Sequence, residues 1–245
     1  MAELFDPSVP PTVLLEHIAF QWPGSAFRFG LDRFRIEKAE RVLLLGPSGG
    51  GKSTLLGLIS GISRPQKGRI DLLGTDLASL SSAQRDRFRA EHLGVIFQMF
   101  NLLPYASALD NVRLGLSFAP NRTRRVREEE TPEEAAARLL TALGLPKNIQ
   151  TGQPASLLSS GQQQRVAAAR ALIGDPELVI ADEPTSALDG ESQKAFLDLV
   201  FRQLDRSGSS LLMVSHDERL AGWFDRVVRL TDIQRHEELP DAAAS

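Results

Sequence analysis

The segment RVLLLGPSGGGKSTLLGLIS, residues 41–60, restricts the fold of this chain more than any other stretch. Five residues ending in an apolar run enter a glycine-rich turn, and the residues that follow have helical spacing that stops near Gly61. The local order is therefore strand, glycine loop, helix. GPSGGGKS carries Gly46, Gly51, Lys52 and Ser53 at the spacing of a phosphate-cradling loop. Such a loop curls with successive backbone amides facing inward, and the helix start adds partial positive charge. Gly46, Ser48, Gly49, Gly50, Gly51, Lys52, Ser53 and Thr54 are the candidate nucleotide-binding residues of this segment. The Lys52 ammonium would reach terminal phosphate oxygens, and the Ser53 hydroxyl suits magnesium. A plain turn followed by a surface lysine would not need the whole pattern in this context.

Composition limits the alternatives. A chain of 245 residues with 42% apolar content has enough material for a sizeable core, as one large domain or two small ones. The 28 basic and 31 acidic residues leave a net charge of -3, so bulk charge implies neither nucleic-acid binding nor attachment to an anionic membrane. Without cysteine there are no disulfides, thiolate metal sites or cysteine nucleophiles, and four scattered histidines do not suggest zinc. No apolar stretch reaches the roughly 18 residues of a membrane span, and MAELFDPSVPP has neither a basic leader nor an apolar signal core. These features predict a cytosolic chain.

Along the chain, VLLEHIAF at 13–20 reads as a strand before the turn-like WPGS at 22–25, and a second strand is expected around Phe27 and Phe29. Further strands are expected at 68–73 and 94–97, with a charged helix at 81–92 between them. The middle, from NLLPYASALDNV through RTRRVREEETPEEAAARLLTALG, is rich in Ala, Leu and Glu and predicts a helical subdomain. Thr131, Pro132 and Glu134 form the start of a helix with a capping box. The charged run around Arg122 to Glu130 is either a contact surface or a solvated helix edge, and the second reading is favoured because its opposing charges neutralise one another. A polar tail closes the chain. Alternation of strands with helices predicts an α/β core whose ligands lie beyond the carboxyl ends of the strands.

Two such strand ends carry chemistry. LVIADE at 178–183 delivers Asp182 and Glu183 at the tip of an apolar strand. Asp182 is suited to hold magnesium through bound water, and Glu183 to orient or deprotonate the water that attacks a terminal phosphate. LLMVSH at 211–216 repeats the arrangement with His216. LSSGQQQR at 158–165 places Ser159 and Gly161 before a helix that would present its amides and Gln162 to an anion.

With GPSGGGKS, Gln98 in FQ, LSSGQQQR, LVIADE, SALD at 186–189 and His216 in this order, the chain resembles the nucleotide-binding subunits of ABC transporters over nearly all of residues 12–231. The resemblance implies an α/β P-loop nucleoside triphosphatase core with an inserted helical subdomain. The expected domain runs from 12 to 235, with the helical part at about 100–165, an extension at 1–11 and a tail at 236–245. It further implies ATP and Mg2+ as ligands, and a head-to-tail pair of chains. Each nucleotide would lie between one chain's glycine loop and the other's LSSGQ segment, contacted by Ser159, Gly161 and Gln162. Ser160 stands where a glycine is more usual. Gln98 would sense magnesium and the attacking water, His216 would position the terminal phosphate or water, and Asp189 would communicate across the pair. Trp22 is the favoured adenine platform, with Phe20 and Phe27 as competitors.

The segment GVIFQMFNLLPYASALDNVRL is similar to the coupling region of the subgroup serving lipoprotein release and macrolide export. That likeness implies an ATP-hydrolysing motor for export or membrane extraction. Its expected partners are a second ATPase subunit, of the same chain, and a separate multispanning membrane protein. It would sit on the cytoplasmic face of the inner membrane, with no direct nucleic-acid binding. The alternatives are a soluble ABC-type ATPase driving a nucleic-acid or assembly process, and a small-molecule kinase. A kinase would have no need of LSSGQQQR, SALD or His216.

Overall fold

The strands of the core alternate their side chains between two apolar compartments, and this alternation sets the layering. Val42 and Leu44 face one buried cluster while Leu43 and Leu45 face the other; Ile180 and Ala181, and Leu212 and Met213, divide in the same way. Strands buried on both faces read as continuous apolar runs, as RVLLL, LVIAD and SLLMVS do. A computed structural model describes residues 9–186 and 188–235. Most of the expected 1–11 extension, the whole 236–245 tail and Ala187 of SALD lie outside the described residues.

Two sheets carry the chain. The first is antiparallel, in the order β10 (Gln234–Arg235), β2 (Arg28–Ile36), β1 (Val13–Gln21), β4 (Lys67–Leu72), β5 (Thr75–Asp76). The second is parallel, in the order β6 (Leu93–Ile96), β7 (Leu178–Asp182), β8 (Ser210–Ser215), β3 (Arg41–Leu45), β9 (Arg226–Arg229). Helix α1 (Lys52–Ile59) packs with the antiparallel sheet in one cluster, where Leu15, Phe34, Leu44, Leu55 and Leu212 meet. The expected strands at 13–20, 41–45, 68–73 and 94–97 are present with shifts of a residue or so, as is helix α2 (Ser82–His92). Phe29 belongs to β2, but Phe27 precedes it.

The opposite face of the parallel sheet holds the larger cluster. It is built with α3 (Ala108–Arg113), α5 (Pro132–Ala142), α6 (Ser160–Leu172) and α7 (Gly190–Ser207). Helix α4 (Pro120–Glu129) precedes α5, and α8 (Leu230–Ile233) precedes β10. Thr131 Oγ1 accepts from the Glu134 amide at 3.2 Å and the Glu134 carboxylate accepts from the Thr131 amide at 2.8 Å, completing the expected capping box, a device that contributes about 1 kcal/mol. Helix α6 comes close enough to its neighbours to require glycine. A Cβ on Gly94 of β6 would lie 2.2 Å from the Ala171 carbonyl oxygen, and one on Gly115 would lie 2.4 Å from that of Arg170.

The charged run after residue 121 is a solvated helix edge at Arg124, Arg127, Glu128 and Glu129, as favoured, but departs from that expectation at its first arginine. Arg122 is neither a contact residue nor solvated but 2% exposed. Its guanidinium donates to the carbonyls of Ala90, Leu93, Ala171 and Ile173. Buried Glu91 accepts from the Asn121 and Arg122 amides at the start of α4. Burial, and then the charge of Arg125, lower the Arg122 pKa to about 10. The reason is steric opportunity: α4 lies against the carbonyl ends of α2 and α6, where the guanidinium satisfies four acceptors at once.

Candidate nucleotide site

The glycine loop leaves β3 at Leu45 and ends at Gly51, whose φ of 102° is open to glycine and starts α1. A Cβ there would also meet Phe29 Cδ2 at 2.8 Å. Gln234 Nε2 donates to the Gly50 carbonyl at 2.6 Å, so the short strand β10 fastens the loop from behind. Lys52 is buried and curls back across the loop, donating from Nζ to Gly46 O at 2.7 Å and Pro47 O at 3.2 Å. The same ammonium lies 3.5 Å from Glu183 Oε1.

A cavity of about 360 Å³ opens above this loop, lined by Ser48, Gly49, Gly51, Lys52, Ser53 and Thr54 together with Phe27, Gln98, Asp182 and Glu183. Residues separated by some 130 positions thus converge from the loop and from the carboxyl ends of β6 and β7. A donor-rich loop facing two carboxylates and an amide fits a phosphate chain with its divalent cation. Among the described residues no three His, Cys, Asp or Glu side chains gather as a metal site of their own. A Mg2+ ion held partly by nucleotide phosphates needs only one or two protein carboxylates.

Asp182 closes β7, and its pKa is raised by burial and then by the charge of Glu183, while Lys52 opposes the rise. Glu183 has φ of +44°, an unfavourable backbone conformation for a side-chain-bearing residue. Its amide donates to Val214 O at 3.0 Å, which ties this strained residue to β8. His216 follows β8 with Nδ1 3.0 Å from Glu183 Oε2 and a side chain 63% exposed. The turn after it is held by Asp217, whose amide donates to Ser215 Oγ at 3.0 Å and whose carboxylate accepts from Arg219.

The remaining candidates stand outside the cavity lining. Trp22 is 43% exposed, sits edge-on to Phe20 with ring centroids 4.9 Å apart, and brings Nε1 to 3.3 Å from Thr54 Oγ1. Phe20 is buried in the core, which leaves Trp22 and the cavity-lining Phe27 as accessible rings. Ser159 caps α6: its Oγ accepts from the Gln162 amide at 3.3 Å, and Gln162 Oε1 accepts from the Ser159 amide at 2.9 Å. Ser160 is the first residue of that helix. A Cβ on Gly161 would find only Leu188 Cδ2, at 3.9 Å, so the chain's own packing does not require glycine there. Asp189 caps α7 by accepting from the Ser192 amide at 2.8 Å, and that bond chiefly holds its pKa below the usual value.

Sequence reading passed over three contributors: Gln234 behind the loop, Asp217 beneath His216, and Arg170, whose guanidinium grips the loop after Gln98. Only Asp217 had a local signal, as an Asp two residues before Arg219 at a helix start.

Comparison with known proteins agrees with this geometry. The family described as ABC transporter matches residues 32–186. The macrolide export ATP-binding/permease protein MacB of Rhodopirellula baltica is 43% identical over 199 residues, which are 80% of this chain but 28% of that protein. The lipoprotein-releasing system ATP-binding protein LolD of Novosphingobium aromaticivorans is 43% identical over 195 residues, covering 80% of this chain and 84% of that one. Among solved structures, the dimeric post-hydrolysis state of the ATP-binding cassette MJ0796 bound to ADP and Pi aligns with a TM-score of 0.74 at 29% identity, over 89% of this chain and 93% of the other. Among the described residues no helix is long and apolar enough to cross a membrane. Fold, loop and family match agree, and the chain belongs to the ABC transporter family as one of its nucleotide-binding ATPases, with the P-loop nucleoside triphosphatase fold.

Proposed function

We propose that this chain is the ATP-driven motor of a transporter that exports or extracts its cargo, working as a pair of identical chains beneath a separate multispanning membrane protein on the cytoplasmic face of the inner membrane. The observation that carries the reading is the convergence of Lys52, Ser53, Gln98, Asp182 and Glu183 on one cavity beside the glycine loop. That donor set suits a nucleoside triphosphate with Mg2+: Ser53, Gln98 and Asp182 would hold the ion, which would supply positive charge to the phosphates. The loop amides and Lys52 bind the phosphates, which requires Lys52 to turn from the Gly46 and Pro47 carbonyls toward the nucleotide. Glu183 accepts the proton of the attacking water, and His216, bonded to Glu183, orients the water or terminal phosphate. Trp22 stacks on the adenine.

Ser159, Gly161 and Gln162 are absent from the cavity lining, and the space at Gly161 is open. Both facts favour a nucleotide sandwiched between the glycine loop of one chain and the first turn of α6 in its partner, with Asp189 near the junction. The helical part at about 100–165 serves as a subdomain within a 12–235 ATPase domain and passes closure of the pair to the membrane protein. Likeness to MacB and LolD favours export or lipoprotein extraction.

The reading is tested by purification from native membranes followed by ATP hydrolysis on the isolated chain and on the recovered complex. Co-purification of an integral membrane protein that stimulates turnover is the expected result. Stable association with nucleic acid or a soluble assembly instead would overturn it. In parallel, Glu183→Gln should bind ATP, release no phosphate and accumulate as a closed pair.

A further inference from the structure

Helix α6 is joined to the chain's own nucleotide cavity through the loop that follows β6, which carries Gln98. Phe100 and Asn101 both have positive φ, 57° and 49°, although neither is glycine. The Phe100 amide donates to Phe97 O at 3.0 Å and the Asn101 amide to Met99 O at 2.6 Å, so the backbone folds tightly around Gln98 and Met99. The outward carbonyls of these two residues meet one side chain. Arg170 donates from Nη1 to Asn101 O and from Nη2 to Phe100 O, each at 2.6 Å. The planar guanidinium spans adjacent carbonyls in a way that a lysine ammonium does not.

Arg170 itself stands on a fixed base. Its own carbonyl oxygen lies against Gly115 and the next one against Gly94, at spacings that exclude any Cβ. Gly94 belongs to β6, the strand that leads into Gln98, so α6 holds the segment both before and after this residue. On the far side of the loop, buried Asn111 accepts from the Leu103 amide at 2.7 Å and donates to the Leu103 carbonyl at 3.1 Å. Gln98 is thereby carried on a short span clamped at both ends.

We infer that Arg170 is a positioning residue for Gln98: by bridging the Phe100 and Asn101 carbonyls it sets where Gln98 stands in the nucleotide cavity and makes that position follow helix α6, whose first turn carries Ser159 and Gly161. The inference rests on the assignment of Gln98 to magnesium and the attacking water. It gives α6 two functional ends, one toward the partner chain's nucleotide and one controlling the amide at its own.

The test uses the full chain with Arg170→Lys, Gln98→Ala, Asn101→Gly and the two double variants that combine Arg170→Lys with each of the others. Hydrogen exchange without nucleotide should accelerate about tenfold over residues 97–103 in Arg170→Lys, with the rest of α6 unchanged. The Mg2+ concentration for half-maximal ATP hydrolysis should rise about tenfold in Arg170→Lys. It should rise no further when Arg170→Lys is added to Gln98→Ala. Asn101→Gly should recover part of the loss in Arg170→Lys, because glycine holds positive φ without a clamp. Unchanged exchange and Mg2+ dependence in Arg170→Lys, beside a sensitive Gln98→Ala, would overturn the role of Arg170 alone. An insensitive Gln98→Ala would overturn the Gln98 assignment and the inference with it. An Arg170→Lys chain that fails to fold would also overturn it, since the residue would then be a determinant of the fold.

Discussion

His216 Nδ1 lies 3.0 Å from Glu183 Oε2, joining the tips of two parallel strands, β8 and β7, side chain to side chain. The contact gives the carboxylate a fixed direction on a backbone that is itself strained. Removing the ring should therefore affect the chemical step more than binding. His216→Ala is expected to lower single-turnover ATP hydrolysis about 100-fold with ATP affinity unchanged. A variant that loses affinity while keeping its hydrolysis rate would assign His216 to nucleotide binding instead.

Trp22 and Phe27 are the two accessible rings beside the glycine loop, Phe20 having gone to the core. An indole that stacks on adenine contributes to retention and leaves phosphate chemistry alone. Trp22→Ala should weaken ATP binding about tenfold, read by equilibrium titration, with turnover at saturation unchanged. If Phe27→Ala has that effect and Trp22→Ala has none, the platform is Phe27.

What could be read from the sequence was what depends on neighbours in the chain. The strand at 41–45, the loop at 46–53 and the capping box of Thr131 and Glu134 each declare themselves within a few residues, because period, φ preference and i to i+3 bonding are local. Arg122 shows the opposite case. RTRRVR has the look of a solvated edge, and only the packing of α4 against the ends of α2 and α6 gives that arginine four carbonyls to satisfy. Arg170 and Phe100 are bonded across 70 positions, and Gln234 and Gly50 across 184, separations at which no pattern of residue types marks a pair. Gly94 and Gly115 are likewise demanded by α6 passing close by, not by a turn of their own.

Asp217, directly after His216, has its pKa lowered to about 2, chiefly by the side-chain hydrogen bond from Arg219. A carboxyl depressed from the ordinary aspartate value of 3.8 contributes stability that is present in full above that value and is lost as pH falls toward about 2. Arg219 is exposed, so water screens the pair and reduces what its charge contributes to stability. Asp217→Asn keeps an N-cap acceptor and loses only the screened charged bonds to Arg219, so it should cost about 0.5 kcal/mol at pH 7. Urea midpoints for the two chains should converge between pH 4 and pH 2.5, roughly the span of that titration. A gap that persists undiminished at the acid end would show that the charge of Asp217 has no part in it.

Arg122 tests whether the buried polar junction between α2, α4 and α6 holds the helical part to the core. Its guanidinium is the shared donor for the Ala90, Leu93, Ala171 and Ile173 carbonyls, and Glu91, buried beside it, holds the first amides of α4. Arg122→Met keeps much of the volume but removes every one of those donors and leaves Glu91 without the nearby positive charge. Breaking one side of such a buried charged network is far more damaging than replacing the whole of it. The expected loss is about 3 kcal/mol by urea unfolding. Glu91→Gln combined with Arg122→Met should recover part of that loss, since a neutral amide still accepts from the Asn121 and Arg122 backbone amides without burying an unpaired charge. A loss below about 1 kcal/mol for Arg122→Met would mean that water replaces the guanidinium at this junction without difficulty.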